Sequence, residues 1–123
     1  MEVNYPTCPN SFVQFVRKKT KLKIEPSIIR KISSERAPVN EAMQLKTPVY
    51  GLNTGLGGNL AHELNEEDIQ EFQAQLIKGR AVAIGESFSE EICRGVLLAR
   101  ILSAREGQSG ISVDAYKYLI QFW

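Results

Sequence analysis

The sequence predicts a mainly α-helical chain with at most a small strand element and one long glycine-rich loop. Three observations predict it. Apolar residues recur at helical spacing in several stretches, most regularly at Ile92, Val96, Leu97, Ile101 and Leu102. Alternation with period two is confined to Leu22 and Ile24, set between Lys21, Lys23 and Glu25. Gly51, Gly55, Gly57 and Gly58 crowd a segment between about residues 47 and 65, where neither period survives.

Residues 1–9 read as irregular, with Pro6 and Pro9. Asn10 or Ser11 is the expected cap of a short first helix, with Phe12, Val13, Phe15 and Val16 on its inner side. Leu22 and Ile24 then form a short strand with one wet face. Pro26 suits the first turn of the next helix, and Ile28, Ile29 and Ile32 give it an apolar stripe. Ser33, Ser34 and Pro38 are expected to break or bend it, with a further short helix from about Val39 to Leu45. Thr47-Pro48 opens the glycine-rich loop; a loop this long in a compact chain is functional or mobile.

Asn65 caps the next predicted helix, with Glu66, Glu67 and Asp68 where the helix dipole favours them. Ile69, Phe72, Leu76 and Ile77 carry the period and Gly79 marks the end. Ser87 or Ser89 opens the most regular helix, to about Arg105, and Gly107 and Gly110 close it. Ser112 caps the last helix, with Tyr116, Leu119 and Ile120 along one side. The pattern is still running at Phe122-Trp123, which reads as an interrupted chain whose apolar helices want a partner.

A length of 123 residues fits one small domain. The formal net charge of +1 gives no strong attraction to nucleic acid or anionic membrane. The local basic stretch Arg17-Lys18-Lys19, Lys21, Lys23 reads as a solvated helix end and strand edge. Cys8 and Cys93 make no disulfide framework, and the start Met-Glu-Val-Asn-Tyr-Pro has neither the basic nor the apolar part of a signal peptide. With no apolar run of membrane length, a soluble cytoplasmic protein is expected.

Few residues offer chemistry. His62 is the only histidine and has no ligand partner at zinc spacing, so no metal is expected. Cys8 and Cys93 read as inert thiols, with Cys93 buried on its helix. The serines read as caps. The loop Val49-Tyr50-Gly51-Leu52-Asn53-Thr54-Gly55-Leu56-Gly57-Gly58 matches neither dinucleotide nor Walker spacing. Its glycines leave Tyr50 without bulky neighbours on one side. A phenol so placed either packs on the core or acts as a general acid or base, the latter requiring nearby positive charge.

That loop resembles the tyrosine-loop motif of the ammonia-lyases and aminomutases that use a methylidene-imidazolone group. The similarity continues through Gln75-Leu76-Ile77, Ala81-Val82-Ala83-Ile84-Gly85-Glu86, Leu97-Leu98-Ala99-Arg100-Ile101-Leu102-Ser103 and Gly107-Gln108-Ser109-Gly110. The motifs stand in the family's order from about Val49 to Val113. The resemblance implies the helical N-terminal domain of the ammonia-lyase fold: 1–46 a helix-strand-helix lead, 47–65 the Tyr/Gly-rich loop, 66–123 helices. It implies an aromatic, histidine-like amino-acid substrate, which loses ammonia to give an α,β-unsaturated acid. Tyr50 would be the base, Gly51 and Asn53 to Gly57 would shape its loop, with Gly51 and Asn53 beside the substrate, and Gly79 and Arg80 would lie near the substrate side chain. Homotetramers are usual in the family, so a homo-oligomer is expected.

Three departures accompany the likeness. The contiguous Ala-Ser-Gly from which the electrophilic group arises is absent from the 123 residues, and in the family it lies shortly beyond the position of Trp123. The chain is therefore expected to be an inactive fragment by itself. Leu56 stands where many members have phenylalanine. Arg80 stands where histidine-specific members typically carry histidine; it either faces the pocket or points to solvent from a helix end. Two alternatives stand beside the lyase: a non-catalytic homo-oligomeric interaction module, or part of an aminomutase.

Overall fold

The computed structural model describes residues 5–45, 48–54, 56 and 66–123. Helices dominate these residues: α1 (Pro9–Lys18), α2 (Pro26–Gln44), α3 (Glu66–Arg80), α4 (Glu90–Arg105) and α5 (Val113–Phe122). Internal contacts gather into two compact units, Met1–Ala37 with Ser87–Trp123, and Pro38–Glu86.

The first unit holds the main core. Tyr5, Ile28, Ile32, Ile101, Ala104 and Tyr116 are buried together, and Phe15, Val16 and Leu98 form a second cluster. Of the expected stripes, Phe15, Val16, Ile28, Ile32, Ile101 and Tyr116 are buried; Leu98 and Ala104 on α4 and Tyr5 before α1 were not expected there, and Val13, Ile92 and Val96, expected on inner faces, are exposed. Leu22, Leu102 and Trp123 pack against both clusters. Fully burying one such aliphatic side chain stabilises by about 1.5–3 kcal/mol.

The strand predicted around Leu22 and Ile24 does not form. Carbonyls in and just before this segment find other donors: Tyr5 Oη donates to Lys23 O at 2.6 Å, and Trp123 Nε1 donates to Thr20 O at 2.8 Å. Side chains thus satisfy carbonyls that a neighbouring strand would otherwise have to meet. Trp123 is held further, since Arg94 Nη1 donates to its carbonyl at 2.8 Å and the guanidinium lies 4.0 Å from its ring centroid.

Two helix boundaries also differ from expectation. Cys8, not Asn10 or Ser11, caps α1: its sulfur accepts from Ser11 N, and Ser11 answers from N3 in a capping box. α2 runs unbroken through Ser33, Ser34 and Pro38 to Gln44. Proline deletes one backbone donor, and its fixed φ is itself helical. The Ser34 hydroxyl donates back to Lys31 O at 2.8 Å, so it serves the helix instead of ending it. Ser89 and Ser112 cap α4 and α5 as expected, and Pro26 opens α2. The predicted cap Asn65 lies outside the described residues.

The basic stretch from the last turn of α1 onward is solvated, and part of it is paired. Arg17 Nε lies 2.9 Å from Glu91 Oε1, and Lys19 pairs with Glu90, which holds the Glu90 carboxyl below its ordinary range. Cys8 and Cys93 are both exposed free thiols, against the expectation of burial for Cys93. The α4 stripe turns inward at Leu98, Ile101 and Ala104, which leaves Cys93 and Ile92 on the outer side. No helix among the described residues is long and apolar enough to cross a membrane.

Candidate active site

The second unit carries the tyrosine turn. Leu52 N and Asn53 N both donate to Val49 O, at 3.0 and 3.3 Å. The Asn53 side chain closes the same turn from the other side, its Oδ1 accepting from Val49 N at 2.8 Å. Gly51 has φ 72°, a left-handed conformation that side chains rarely adopt. A Cβ added there would also stand 3.2 Å from Leu56 Cδ2. Gly51 N donates to Thr54 Oγ1 at 3.4 Å, and Thr54 is buried at 5% exposure.

A side-chain bond ties this turn to a helix. Gln73 Nε2 on α3 donates to Gly51 O at 2.8 Å. Tyr50, between the clamped residues Val49 and Gly51, stays 62% exposed. Bonds on both flanking residues thus hold the backbone beneath an exposed phenol.

The structure therefore gathers Tyr50, Gly51 and Asn53 into one turn. The Asn53 side chain is spent at least partly inside it, on Val49. Gly79 and Arg80 are the exposed last residues of α3, and a Cβ on Gly79 would meet nothing within 4 Å. Arg80 follows Gln73 by seven residues, so α3 sets it on nearly the same face and about 10 Å further along the axis. His62, Gly55, Gly57 and Gly58 lie outside the described residues.

Sequence reasoning missed Gln73, and it took Thr54 only as one of the residues that shape the loop, without its burial. The signal for Gln73 was present. Ile69, Phe72, Gln73 and Leu76 fall at i, i+3, i+4 and i+7, so one amide interrupts an apolar stripe. A polar group on such a face usually has a partner to meet. Thr54 gave no comparable signal, because its burial follows from how the turn folds back.

The sequence model of the family described as "Aromatic amino acid lyase" matches residues 8–123. Histidine ammonia-lyase 2 from Fusobacterium nucleatum subsp. nucleatum is 32% identical over 108 residues, 88% of this chain and 21% of the relative. Tyrosine 2,3-aminomutase from Chondromyces crocatus is 29% identical over 105 residues, 85% of this chain and 20% of the relative. Among solved structures, the ergothioneine-degrading enzyme ergothionase from Treponema denticola superposes with TM-score 0.88 at 23% identity, over 97% of this chain and 24% of that one. The fold is thus shared with that structure. The chain spans about a fifth of the length of the curated relatives it matches.

Proposed function

The chain belongs to the aromatic amino acid lyase family, and we propose that it serves as the N-terminal domain of an ammonia-lyase acting on an aromatic, histidine-like L-amino acid. Tyr50 is the general base: its phenolate takes the proton from the substrate β-carbon, the Cα–N bond breaks, and ammonia leaves an α,β-unsaturated acid. The observation that carries this reading is the exposed phenol on a turn held by Asn53, Thr54 and Gln73. Gly51 and Asn53 shape the turn beside the substrate. Gly79 and Arg80 lie toward its side chain, where an always-charged guanidinium favours a substrate carrying an acceptor or a negative group.

The methylidene-imidazolone group supplies the family's electrophile. None of these 123 residues forms the contiguous Ala-Ser-Gly that would generate it, so no step here passes through it. We infer that the chain eliminates no ammonia by itself and works within a larger homo-oligomeric enzyme. Two free thiols accord with a reducing, cytoplasmic setting.

The test uses the enzyme that joins this chain to an Ala-Ser-Gly segment. Tyr50→Phe is expected to lower kcat by roughly a hundredfold or more with the fold intact by circular dichroism. Near-parental turnover defeats the assignment. An aminomutase is the second reading, favoured by the tyrosine 2,3-aminomutase among the relatives. Product analysis separates the two: a free unsaturated acid and ammonia for the lyase, a β-amino acid for the mutase.

A further inference from the structure

Resting on the reading of Tyr50 as the base, we propose that Gln73 is a positioning residue that sets where the phenol stands. Tyr50 is clamped on both sides, and the clamps differ in kind. Asn53 holds the residue before it, through Val49 N at 2.8 Å, yet Asn53 belongs to the same turn and moves with it. Thr54 is equally local and holds Gly51 N at a longer 3.4 Å. Gln73 holds the residue after Tyr50, through Gly51 O, from 22 positions away on a helix. That bond fixes the turn to a rigid element, the helix α3.

The chemistry of the pair supports the assignment. Gln73 is half-buried on a stripe with Ile69, Phe72 and Leu76, so its amide is partly withdrawn from water and costly to leave unpaired. A glutamine amide donates to a carbonyl with no dependence on pH, so the turn holds its place while Tyr50 gains and loses a proton. A base displaced by about 1 Å loses on the order of a hundredfold in rate.

Two substitutions test this in the enzyme carrying the chain. Gln73→Glu keeps the shape but presents a carboxylate that cannot donate, and Gln73→Met keeps the length with no strong donor. Each is expected to lower kcat by roughly ten- to a hundredfold, with KM held within about twofold. Combined with Tyr50→Phe, either should add no further loss, because the glutamine acts through the phenol. Parental kcat in Gln73→Met overturns the proposal. So does an equal further loss in the Tyr50→Phe background, which would mark a purely structural role. Parental turnover of Tyr50→Phe itself sinks the base reading and this inference with it. A measurement independent of activity is available on the chain alone. Gln73→Met should speed amide hydrogen exchange at Leu52 and Asn53 by roughly fivefold, and unchanged exchange also overturns the proposal.

Discussion

Cys8 shows how a single side chain can take two roles that its residue type does not announce. Its sulfur caps α1 by accepting from Ser11 N at 3.5 Å. The Ser11 hydroxyl, which can turn its proton to the sulfur once a thiolate forms, and then the Ser11 amide hold this exposed thiol below the ordinary cysteine range. Iodoacetamide at neutral pH is therefore expected to label Cys8 before Cys93, and Ser11→Ala should slow Cys8 while leaving Cys93 unchanged. Mass spectrometry of timed digests reads both rates, and equal labelling would refute the effect. Tyr116 is the opposite case, fully buried, with its Oη 3.4 Å from that of Tyr5. The Tyr5 proton is given to Lys23 O, so Tyr116 is the donor of the pair. Burial first, then that bond with Tyr5, pushes the Tyr116 phenol well above its ordinary value. The neutral form is thus favoured in the folded state. Its contribution to stability is complete below the unfolded pKa of about 10 and is lost as pH rises toward the folded value, at up to about 1.4 kcal/mol per pH unit. Tyr116→Phe should cost about 1 kcal/mol at neutral pH and flatten this alkaline decline in denaturant titrations. An unchanged alkaline slope would rule it out. At this scale the grouping of Tyr50, Gly51 and Asn53 in one turn was legible because they stand within four positions of one another. The Cys8 cap and the Gln73 bond were not, since a thiol cap and a bond spanning 22 residues depend on geometry that spacing does not encode.

At the scale of elements, helix starts were legible where a serine precedes an apolar stripe, as Ser89 and Ser112 do. Helix interruptions were less so. Pro38 and the serine pair look like a stop, yet α2 continues past them and carries the local cost of the proline, while Ser34 bonds back into the helix. The predicted strand is likewise absent: the carbonyls of Thr20, just before it, and Lys23, within it, accept from aromatic side chains at distant positions. Two glycines separate local from tertiary demands. Gly107 follows the α4 cap Glu106 with φ 81°, and a Cβ there would meet Glu35 Cγ at 3.0 Å and Lys31 Cγ at 3.2 Å. Gly107→Ala is therefore expected to destabilise by about 1–2 kcal/mol from the backbone alone. Gly79 is a helical residue of α3 with open space around it. Gly79→Ala should stabilise by roughly 0.5–1 kcal/mol. Urea midpoints of the two variants should move in opposite directions, and a shared direction would contradict the distinction.

For the molecule as a whole, the order of helices was legible, but the uneven distribution of burial was not. Amphipathic stripes look alike in sequence whether or not a neighbour covers them. The first unit buries Tyr5, Phe15, Val16, Ile28, Ile32, Leu98, Ile101, Ala104 and Tyr116, whereas among the described residues of the second unit Ile69 is the buried apolar side chain. Ile77, Val82 and Ile84 remain 70%, 72% and 98% exposed. Stability follows apolar burial, so the second unit should open at lower free energy than the first. Trypsin offers a direct reading, because Lys78 and Arg80 end α3 and an exposed, non-helical segment follows. Brief digestion of the native chain is expected to cut within 38–86, with Lys78 and Arg80 as the described targets, before Arg94, Arg100 or Arg105 on α4. Such a cut leaves the two parts of the first unit on separate pieces, yet their shared core should keep them together. The expected result is one peak in size-exclusion chromatography that separates into two bands on a denaturing gel. Early cleavage inside α4, or fragments that part without denaturant, would show that the first unit is not the stable body its buried core implies.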